Sequence, residues 1–403
     1  MTRPGLPEAL LDPAAWPHPV AGPTLVETHI SWVFLTGGLA YKVKKPVRFD
    51  FLDFSSRERR SHYCAEELRL NARFAPSLYL GLSRIVRVGE RLAVDQDGEL
   101  VEHAVRMRQF DRREELDALV EAGRVEPREL DRLGARVAAQ QAAAPRPPPG
   151  FDEGGVLAAA CADNFATLTR LAAAPAAELA AGAAWLQAAL RRLAPLLADR
   201  LATGRVRECH GDLHCANVVR HAGELWPFDA LEFDPALRWI DTACDFAFLW
   251  MDLHARGRAD LATAALDGWL QASGDFEALR ALRAFAAYRA GVRAKVAGLR
   301  RAQAPDQGNG RELARYLAAA TRLSRPGPPR LVVTTGLSAS GKSRLAAALL
   351  APLGAVRVRS DVERKRLAGL AAEEPSGGRI YDAAMTRRTY ARLAEAAGCA
   401  LDG

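Results

Sequence analysis

The stretch that decides the fold reads His210-Gly-Asp-Leu-His-Cys-Ala-Asn217, and Trp226-Pro-Phe-Asp229 follows it closely. Three polar side chains stand out in it. Asp212 and Asn217 would share one loop, and Asp229 would end the next strand, facing them. Phosphoryl transfer to a hydroxyl needs one carboxylate to orient and deprotonate the acceptor, and an amide and a second carboxylate to hold Mg²⁺. We therefore predict that Asp212 is the catalytic base and that Asn217 and Asp229 are metal ligands with catalytic roles.

A zinc site is the alternative use of this stretch, because it contains Cys209, His210, His214 and Cys215. Zinc ligands in proteins are usually separated by gaps of two to four residues, whereas these side chains lie in adjacent pairs. The spacing disfavours zinc. It favours His210 as a buried imidazole that stabilises the loop, and the two cysteines as small apolar residues.

The pattern at 210–217 resembles the HGDxHxxN catalytic loop of the aminoglycoside phosphotransferase and small-molecule kinase superfamily, whose members share a protein-kinase-like fold. The resemblance covers residues 24–325. It implies ATP as phosphate donor, the loop Asp as base, Mg²⁺ on the loop Asn and the following Asp, and a later Asp, Asp245 here, as loop anchor. The chain departs from the family at Phe228-Asp-Ala-Leu-Glu232, which leaves open whether Glu232 also touches metal.

The N-terminal part is predicted to be a small α+β lobe. Apolar and alternating patterns indicate a hairpin over 24–50 around Gly37-Gly38, a helix over 57–74 that Pro76 ends, and strands over 85–94 and 100–110.

A lysine on the third strand of kinase-like folds binds the α- and β-phosphates and pairs with a helix glutamate. Lys42 and Lys44 lie on one strand face, and the helix offers Glu66 and Glu67. We favour Lys42 with Glu67 as the nucleotide-binding pair. Both choices stay open, as does the alternative that these are surface charges.

The fold class predicted from these patterns is an α+β, protein-kinase-like bilobal domain followed by an α/β P-loop NTPase segment with an incomplete parallel sheet. The predicted domains are an N-lobe over 1–112, a mostly helical C-lobe over 113–325, a Pro-rich linker over 326–330 and a P-loop kinase-like domain over 331–403.

The last segment contains Gly336-Leu-Ser-Ala-Ser-Gly-Lys-Ser343, a full GxxxxGK[ST] match between a predicted strand at 331–335 and an Ala/Leu helix. Backbone N–H groups of such a loop cradle phosphates at a helix N-terminus, while the lysine reaches the β- and γ-phosphates and the final hydroxyl ligates Mg²⁺. The predicted nucleotide-binding residues are Gly336, Ser338, Ser340, Gly341, Lys342 and Ser343, with Ser343 also binding metal.

This segment resembles P-loop kinases of the zeta-toxin-like and chloramphenicol phosphotransferase-like group. The resemblance implies that Asp361, after a second strand at 355–358, is a catalytic base and that Arg364 contacts substrate or phosphate. A helix N-cap is the alternative for Asp361. Because only two strands of this domain precede Gly403, we expect an incomplete domain with an unpaired sheet edge and weak or absent transfer activity.

The overall composition limits the classes of partner that we expect for this protein. The 403 residues carry a net charge of +7 and 26% charged residues, but the basic residues are spread among the acidic ones rather than clustered with aromatics, which argues against nucleic acid. Only six of the 55 basic residues are Lys, four of them in the two phosphate-binding segments. No membrane span or secretory leader is apparent, and six scattered cysteines fit reduced thiols. We expect a cytoplasmic protein without a membrane partner.

Together these features predict an ATP- and Mg²⁺-dependent phosphotransferase that acts on a hydroxyl of a small molecule. The alternative is a non-catalytic, nucleotide-binding regulatory protein, for which the complete Asp212, Asn217 and Asp229 set would have no chemical purpose.

Overall fold

The computed structural model describes residues 5–49, 52–304, 308–325, 327–337, 340–372, 374–375 and 380–403. The chain divides into two compact units. Unit 1 comprises Met1–Gly123 and His210–Arg238, and unit 2 comprises Arg124–Cys209 and Trp239–Gly403. The domain boundaries given above stay predictions.

The strands of the described residues are β1 (Thr24–Glu27), β2 (Ser31–Leu35), β3 (Leu39–Lys44), β4 (Arg48–Phe49), β5 (Leu52–Asp53), β6 (Tyr79–Val88), β7 (Arg91–Val94), β8 (Glu99–Arg108), β9 (Val206–Glu208), β10 (Val218–His221), β11 (Glu224–Pro227) and β12 (Trp239–Asp241). The α-helices are α1 (Leu6–Ala9), α2 (Arg57–Phe74), α3 (Leu116–Glu121), α4 (Pro127–Ala143), α5 (Glu153–Arg170), α6 (Ala176–Ala202), α7 (Thr242–Ala255), α8 (Ala259–Ser273), α9 (Leu279–Gln303), α10 (Asn309–Leu323), α11 (Lys342–Leu353), α12 (Ser360–Leu367) and α13 (Ala383–Asp402).

Unit 1 is built on an antiparallel sheet with the strand order β1-β2-β3-β8-β6-β7. Strands β2 and β3 confirm the predicted hairpin around Gly37-Gly38, but its predicted range of 24–50 is too wide, because β1 is a separate strand that pairs with β2 and β4 pairs with β5. Because side chains alternate along a strand, Tyr41 and Val43 enter one apolar core while Lys42 and Lys44 lie on the opposite face of β3.

Helix α2 covers that opposite face and has the predicted bounds. Ser56 caps it by accepting a hydrogen bond from the backbone N–H of Arg59. Its buried residues recur at three- and four-residue spacing, as expected for a helix lying on a sheet. Two of them, Glu67 and Asn71, are polar. A buried carboxylate is costly without partners, so this face of α2 indicates a polar site.

The single strand predicted over 85–94 is wrong. Strand β6 ends at Val88, the chain turns at Gly89 and Glu90, and β7 returns so that Ile85 pairs with Val94. The alternation of apolar residues continues through the tight turn, and for this reason the pattern does not reveal it.

Unit 2 is mostly helical, in agreement with its Ala- and Leu-rich sequence. Helices α4 and α8 cross at close range, because a Cβ on Gly134 would lie 2.0 Å from the carbonyl oxygen of Ala265, and one on Gly268 would lie 1.9 Å from that of Asp131. Trp269 of α8 stacks on Phe246 of α7 with ring centroids 5.1 Å apart. In the described residues no helix combines the length and apolar character that a membrane crossing needs.

The C-terminal segment of unit 2 contains α11, α12 and α13, and α11 confirms the helix predicted after the P-loop. The strands predicted at 331–335 and 355–358 are wrong, because the described residues there form no strand. Leu331 and Val333 are 64% and 76% exposed. A strand needs hydrogen-bonding neighbours, and in the described part of unit 2 strands β9 and β12 pair only with each other.

Candidate active site

Two lysines of β3 share one buried carboxylate on α2. Lys42 Nζ lies 2.8 Å from Glu67 Oε1, and Lys44 Nζ lies 2.7 Å from Glu67 Oε2. The neighbouring Glu66 instead contacts Arg69 and Arg238. Glu67 is therefore the glutamate that faces the strand lysines, and each of its oxygens has its own cation.

The two lysines differ in their second partner and in their exposure. Lys42 Nζ lies 2.5 Å from Asp229 Oδ1, and 13% of the Lys42 side chain and 42% of the Asp229 side chain are exposed. Lys44 is fully buried and donates to Glu232, which is nearly as buried. Glu232, whose role the sequence left open, thus lies against a lysine.

These contacts govern the ionisation of the cluster. Burial opposes the charge on Glu67, but Lys42 and Lys44 outweigh it and lower the pKa of Glu67 to about 2. Burial likewise opposes the charge on Lys42, but Asp229 and Glu67 raise the pKa of Lys42 well above its usual value. An ion pair that is buried on both sides stays charged only with such mutual compensation.

The loop 210–217 is held by its own polar groups. Asn217 Nδ2 donates to Asp212 Oδ2 at 3.0 Å and to the Asp212 carbonyl oxygen at 2.9 Å. His214 Nε2 lies 3.4 Å from the same Asp212 Oδ2. The amide of Asn217 and the carboxylate of Asp212 are therefore brought together, as their spacing predicted.

Asp229 reaches the same loop through a short hairpin. Strand β10 begins directly after Asn217, β11 ends two residues before Asp229, and the backbone N–H of Phe228 donates to the Asn217 carbonyl oxygen at 2.9 Å. The number of residues between Asn217 and Asp229 is therefore set by the length of the β10–β11 hairpin.

The backbone at Asp229 is unusual, because its φ is +60°, a region in which a non-glycine residue costs roughly 1 kcal/mol. Two residues that sequence reasoning missed hold this turn. The N–H of Asp229 donates to the Tyr79 hydroxyl at 3.1 Å, and that of Ala230 donates to Asn71 Oδ1 at 2.8 Å. Asn71 lies four residues after Glu67 on the same helix face, and that spacing could have identified it.

His210 has the loop-stabilising position expected of it. Its Nδ1 accepts from the Asp212 N–H at 3.3 Å, so its Nε2 is the nitrogen that donates to the Phe228 carbonyl oxygen at 2.9 Å. Both ring nitrogens are engaged with backbone groups, which is incompatible with the same imidazole binding zinc.

Asp241 and Asp245 lie in unit 2 and have the hydrogen bonds that burial demands. Asp245 accepts from Gln141 Nε2 at 3.0 Å, and Asp241 accepts two hydrogen bonds from Arg200. Burial and the Asp241 charge raise the pKa of the nearby Glu153 to about 8. The role of Asp245 as loop anchor stays a prediction.

The P-loop lysine has a different environment. Lys342 Nζ donates to the carbonyl oxygens of Gly336, at 2.7 Å, and Leu337 in its own loop. Gly341 has a φ of +85°, which L side chains rarely adopt. Ser340 and Ser343 are exposed, and Ser338 lies outside the described residues.

Asp361 accepts from the Tyr381 hydroxyl at 3.0 Å and lies 3.5 Å from Lys365 Nζ. The N-cap alternative for Asp361 is wrong, because α12 begins at Ser360 and its N-cap is Arg359. Arg364 is buried and donates to Thr386 and to the carbonyl oxygen of Ile380. The structure therefore does not bring Asp361 together with Lys342 through any described contact.

Comparison with known proteins finds one family match and several similar solved structures. The AAA domain family AAA_33 matches residues 331–402. Among solved structures, a choline/ethanolamine kinase family protein from Mesorhizobium loti covers 83% of this chain and 93% of its own, with 14% identity and a TM-score of 0.46. Wild-type aminoglycoside 2'-phosphotransferase-IIIa covers 75% and 91%, with 13% identity and a TM-score of 0.39.

Similarity in sequence extends further. The uncharacterized proteins Rv2004c of Mycobacterium tuberculosis and Mb2027c of Mycobacterium bovis are each 32% identical over 376 residues, which is 89% of this chain and 72% of theirs. The chain therefore belongs to the same protein family as Rv2004c.

Proposed function

We propose that this protein is an ATP- and Mg²⁺-dependent phosphotransferase that transfers a phosphoryl group to a hydroxyl of a small molecule, with unit 1 carrying the catalytic residues. The observation that carries the proposal is the contact network of unit 1, in which Lys42 bridges Glu67 and Asp229 while Asn217 bonds Asp212.

The donor atoms suit Mg²⁺, which prefers carboxylate, amide and water oxygens. Asp229 has a partly exposed carboxylate beside Lys42. Asn217 uses its Nδ2 on Asp212, so its Oδ1 is the atom that would bind the cation. Mg²⁺, when bound, supplies neutralisation of the charge on the transferred phosphoryl group.

The other groups have separate tasks in this proposal. Lys42 would hold the phosphates of ATP, oriented by Glu67. Asp212 would orient the acceptor hydroxyl and accept its proton as the new P–O bond forms and the bond to ADP breaks. Lys44 is too buried to touch a ligand, which favours Lys42 as the phosphate-binding lysine.

The P-loop segment is proposed to bind a second nucleotide without performing transfer. Its Lys342 rests on loop carbonyl oxygens, which phosphate oxygens would replace as partners. Asp361 is engaged with Tyr381 and Lys365, so it is the weaker candidate for a catalytic base.

The proposal is tested with γ-labelled ATP and a metabolite extract, comparing the wild type with Asp212→Ala and Lys342→Ala. We expect labelled small-molecule product from the wild type and Lys342→Ala, and none from Asp212→Ala, although that variant still binds ATP. Product that survives in Asp212→Ala and disappears in Lys342→Ala would assign the chemistry to the P-loop. ATP binding without product in all three would favour the regulatory alternative.

A further inference from the structure

A second buried ion pair lies behind the proposed phosphate-binding lysine. Lys44 Nζ contacts both Glu67 and Glu232, and all three side chains are at least 95% buried. The Lys44 ammonium also lies 5.0 Å from the centroid of the Phe54 ring. The free-energy cost of burying three charged groups is large, and these side chains are too buried for contact with solvent or with a ligand to offset it.

The position of this pair suggests its purpose. Lys44 belongs to β3, Glu67 belongs to α2, and Glu232 lies three residues after Asp229. One ammonium group therefore ties together the strand that carries Lys42, the helix that carries its partner and the turn that carries the proposed metal ligand.

The turn at 229–232 is held at each of its residues. Besides the contacts of Asp229 and Ala230 described above, the N–H of Leu231 donates to the His210 carbonyl oxygen at 3.0 Å, and the Glu232 carbonyl oxygen accepts from Arg238 at 3.0 Å. The contact of the Glu232 side chain with Lys44 attaches this turn to β3 and, through Glu67, to α2. A backbone held at a positive φ persists only when its surroundings over-determine it.

We propose that Lys44 and Glu232 are positioning residues that fix Glu67 and the Asp229 turn, so that the nucleotide and metal ligands are preassembled. This inference rests on the proposed function. Glu67 keeps one cation when Lys42 turns to a phosphate, and α2 stays attached to β3. Lys44 and Glu232 touch no ligand themselves and act through Glu67 and Asp229.

The test uses the full chain with Lys342→Ala, which leaves the unit 1 site as the nucleotide site under study. Glu232→Gln removes one charge of the Lys44–Glu232 pair. The double variant Lys44→Met with Glu232→Leu replaces both charged side chains by apolar ones, a change that is often neutral for stability at a buried ion pair. Glu102→Gln is the matched control, because the Glu102 carboxylate is as buried as that of Glu232 and pairs with Arg60 of α2 at 2.6 Å rather than with Lys42 or Lys44.

Two measurements separate positioning from general stability. The first is the Mg²⁺ concentration that half-saturates binding of a fluorescent ATP analogue, and the second is amide hydrogen exchange over 228–232. Substituting a residue that orients a metal ligand typically weakens metal binding by about 10- to 100-fold. We expect a rise of that size, with faster exchange, in Glu232→Gln and in the double variant, and neither change in Glu102→Gln.

A wild-type Mg²⁺ response in both test variants would overturn the inference. An equally weakened Mg²⁺ response in Glu102→Gln would also overturn it, because the effect would then come from a general loss of stability. If the Lys342→Ala chain itself shows no Mg²⁺-dependent nucleotide binding, the proposed function fails together with the inference. A Mg²⁺ response in that chain with unaffected test variants removes the inference alone.

Discussion

The two lysines proposed to bind phosphate, Lys42 and Lys342, stand in opposite surroundings. Lys42 is held between two carboxylates in a buried network, and its position is defined before any ligand arrives. Lys342 is held by carbonyl oxygens of its own loop, and the segment before that loop has exposed apolar residues such as Val333. The P-loop is the more specific sequence motif, but unit 1 has the more completely organised site.

The specificity of a sequence motif and the completeness of a site are therefore separate properties. A P-loop is local, because consecutive backbone groups and one helix N-terminus form its cradle. The unit 1 site is assembled from β3, α2, the 210–217 loop and the Asp229 turn. If their surroundings govern the two lysines, substitutions at Lys42 and at Lys342 should have different consequences.

The largest expected effect is on stability. Lys44→Met leaves Glu67 and Glu232 buried with Lys42 as their remaining cation, and removing one partner from a buried ion pair costs about 3–5 kcal/mol. Lys342→Met removes an exposed contact and should cost about 0.5 kcal/mol or less. Urea unfolding followed by tryptophan fluorescence measures both. Similar losses in the two variants would contradict the difference in burial.

The second prediction concerns nucleotide affinity. Lys42→Met should leave the protein folded, because Glu67 retains Lys44, but it removes a charged hydrogen bond to phosphate worth about 1.5–3 kcal/mol. We expect the Kd of the unit 1 site for ATP to rise about 10- to 100-fold, measured by calorimetry in the Lys342→Ala chain. An unchanged Kd would mean that Lys42 does not bind the phosphates.

The third prediction is a pH dependence with opposite signs in the two units. The lowered pKa of Glu67, about 2, stabilises the fold above pH 4.5, and this contribution is lost as the pH falls toward 2. The raised pKa of Glu153, about 8, favours the fold below pH 4.5, and this contribution is lost as the pH rises through 8. Each slope is at most about 1.4 kcal/mol per pH unit.

Urea midpoints over a pH series measure these slopes. Glu67→Gln should flatten the stability profile between pH 2 and pH 4.5, and Glu153→Gln should flatten it between pH 4.5 and pH 8. Profiles that stay parallel to the wild type in both variants would show that neither carboxyl group titrates as its surroundings imply.

The smallest effect is expected at Glu66, next to Glu67 on α2. Its carboxylate is 21% exposed and pairs with the exposed Arg69 and the buried Arg238, and ion pairs that solvent reaches contribute about 0–1 kcal/mol. Glu66→Gln should therefore change the free energy of unfolding by about 0.5 kcal/mol and leave ATP affinity unaltered. A loss of affinity as large as that of Lys42→Met would reopen the choice between the two glutamates.

Much of unit 1 could be predicted because its signals are local. The bounds of α2 follow from a Ser cap, helical spacing and Pro76, and the β2–β3 hairpin follows from paired glycines. The turn at Gly89 and the unformed strand at 331–335 could not be predicted in the same way. Alternation continues through a tight turn, and an apolar segment becomes a strand only where another strand accepts its hydrogen bonds.

The amino-acid sequence alone was enough to predict the chemical groups of the candidate site and a loop shared by Asp212 and Asn217, because covalent spacing limits their separation. The three-dimensional packing was needed to show that Glu67 contacts both lysines and that Glu232 contacts Lys44. It was also needed to show that Asn71 and Tyr79 accept hydrogen bonds from the Asp229 turn. Because side chains alternate along a strand, Lys42 and Lys44 lie on the same face of β3, but this alternation does not determine how deeply each lysine is buried. The burial of each lysine depends on how α2 and the Asp229 turn pack over β3. This burial distinguishes Lys42, which stays partly exposed to a ligand, from Lys44, which is fully buried.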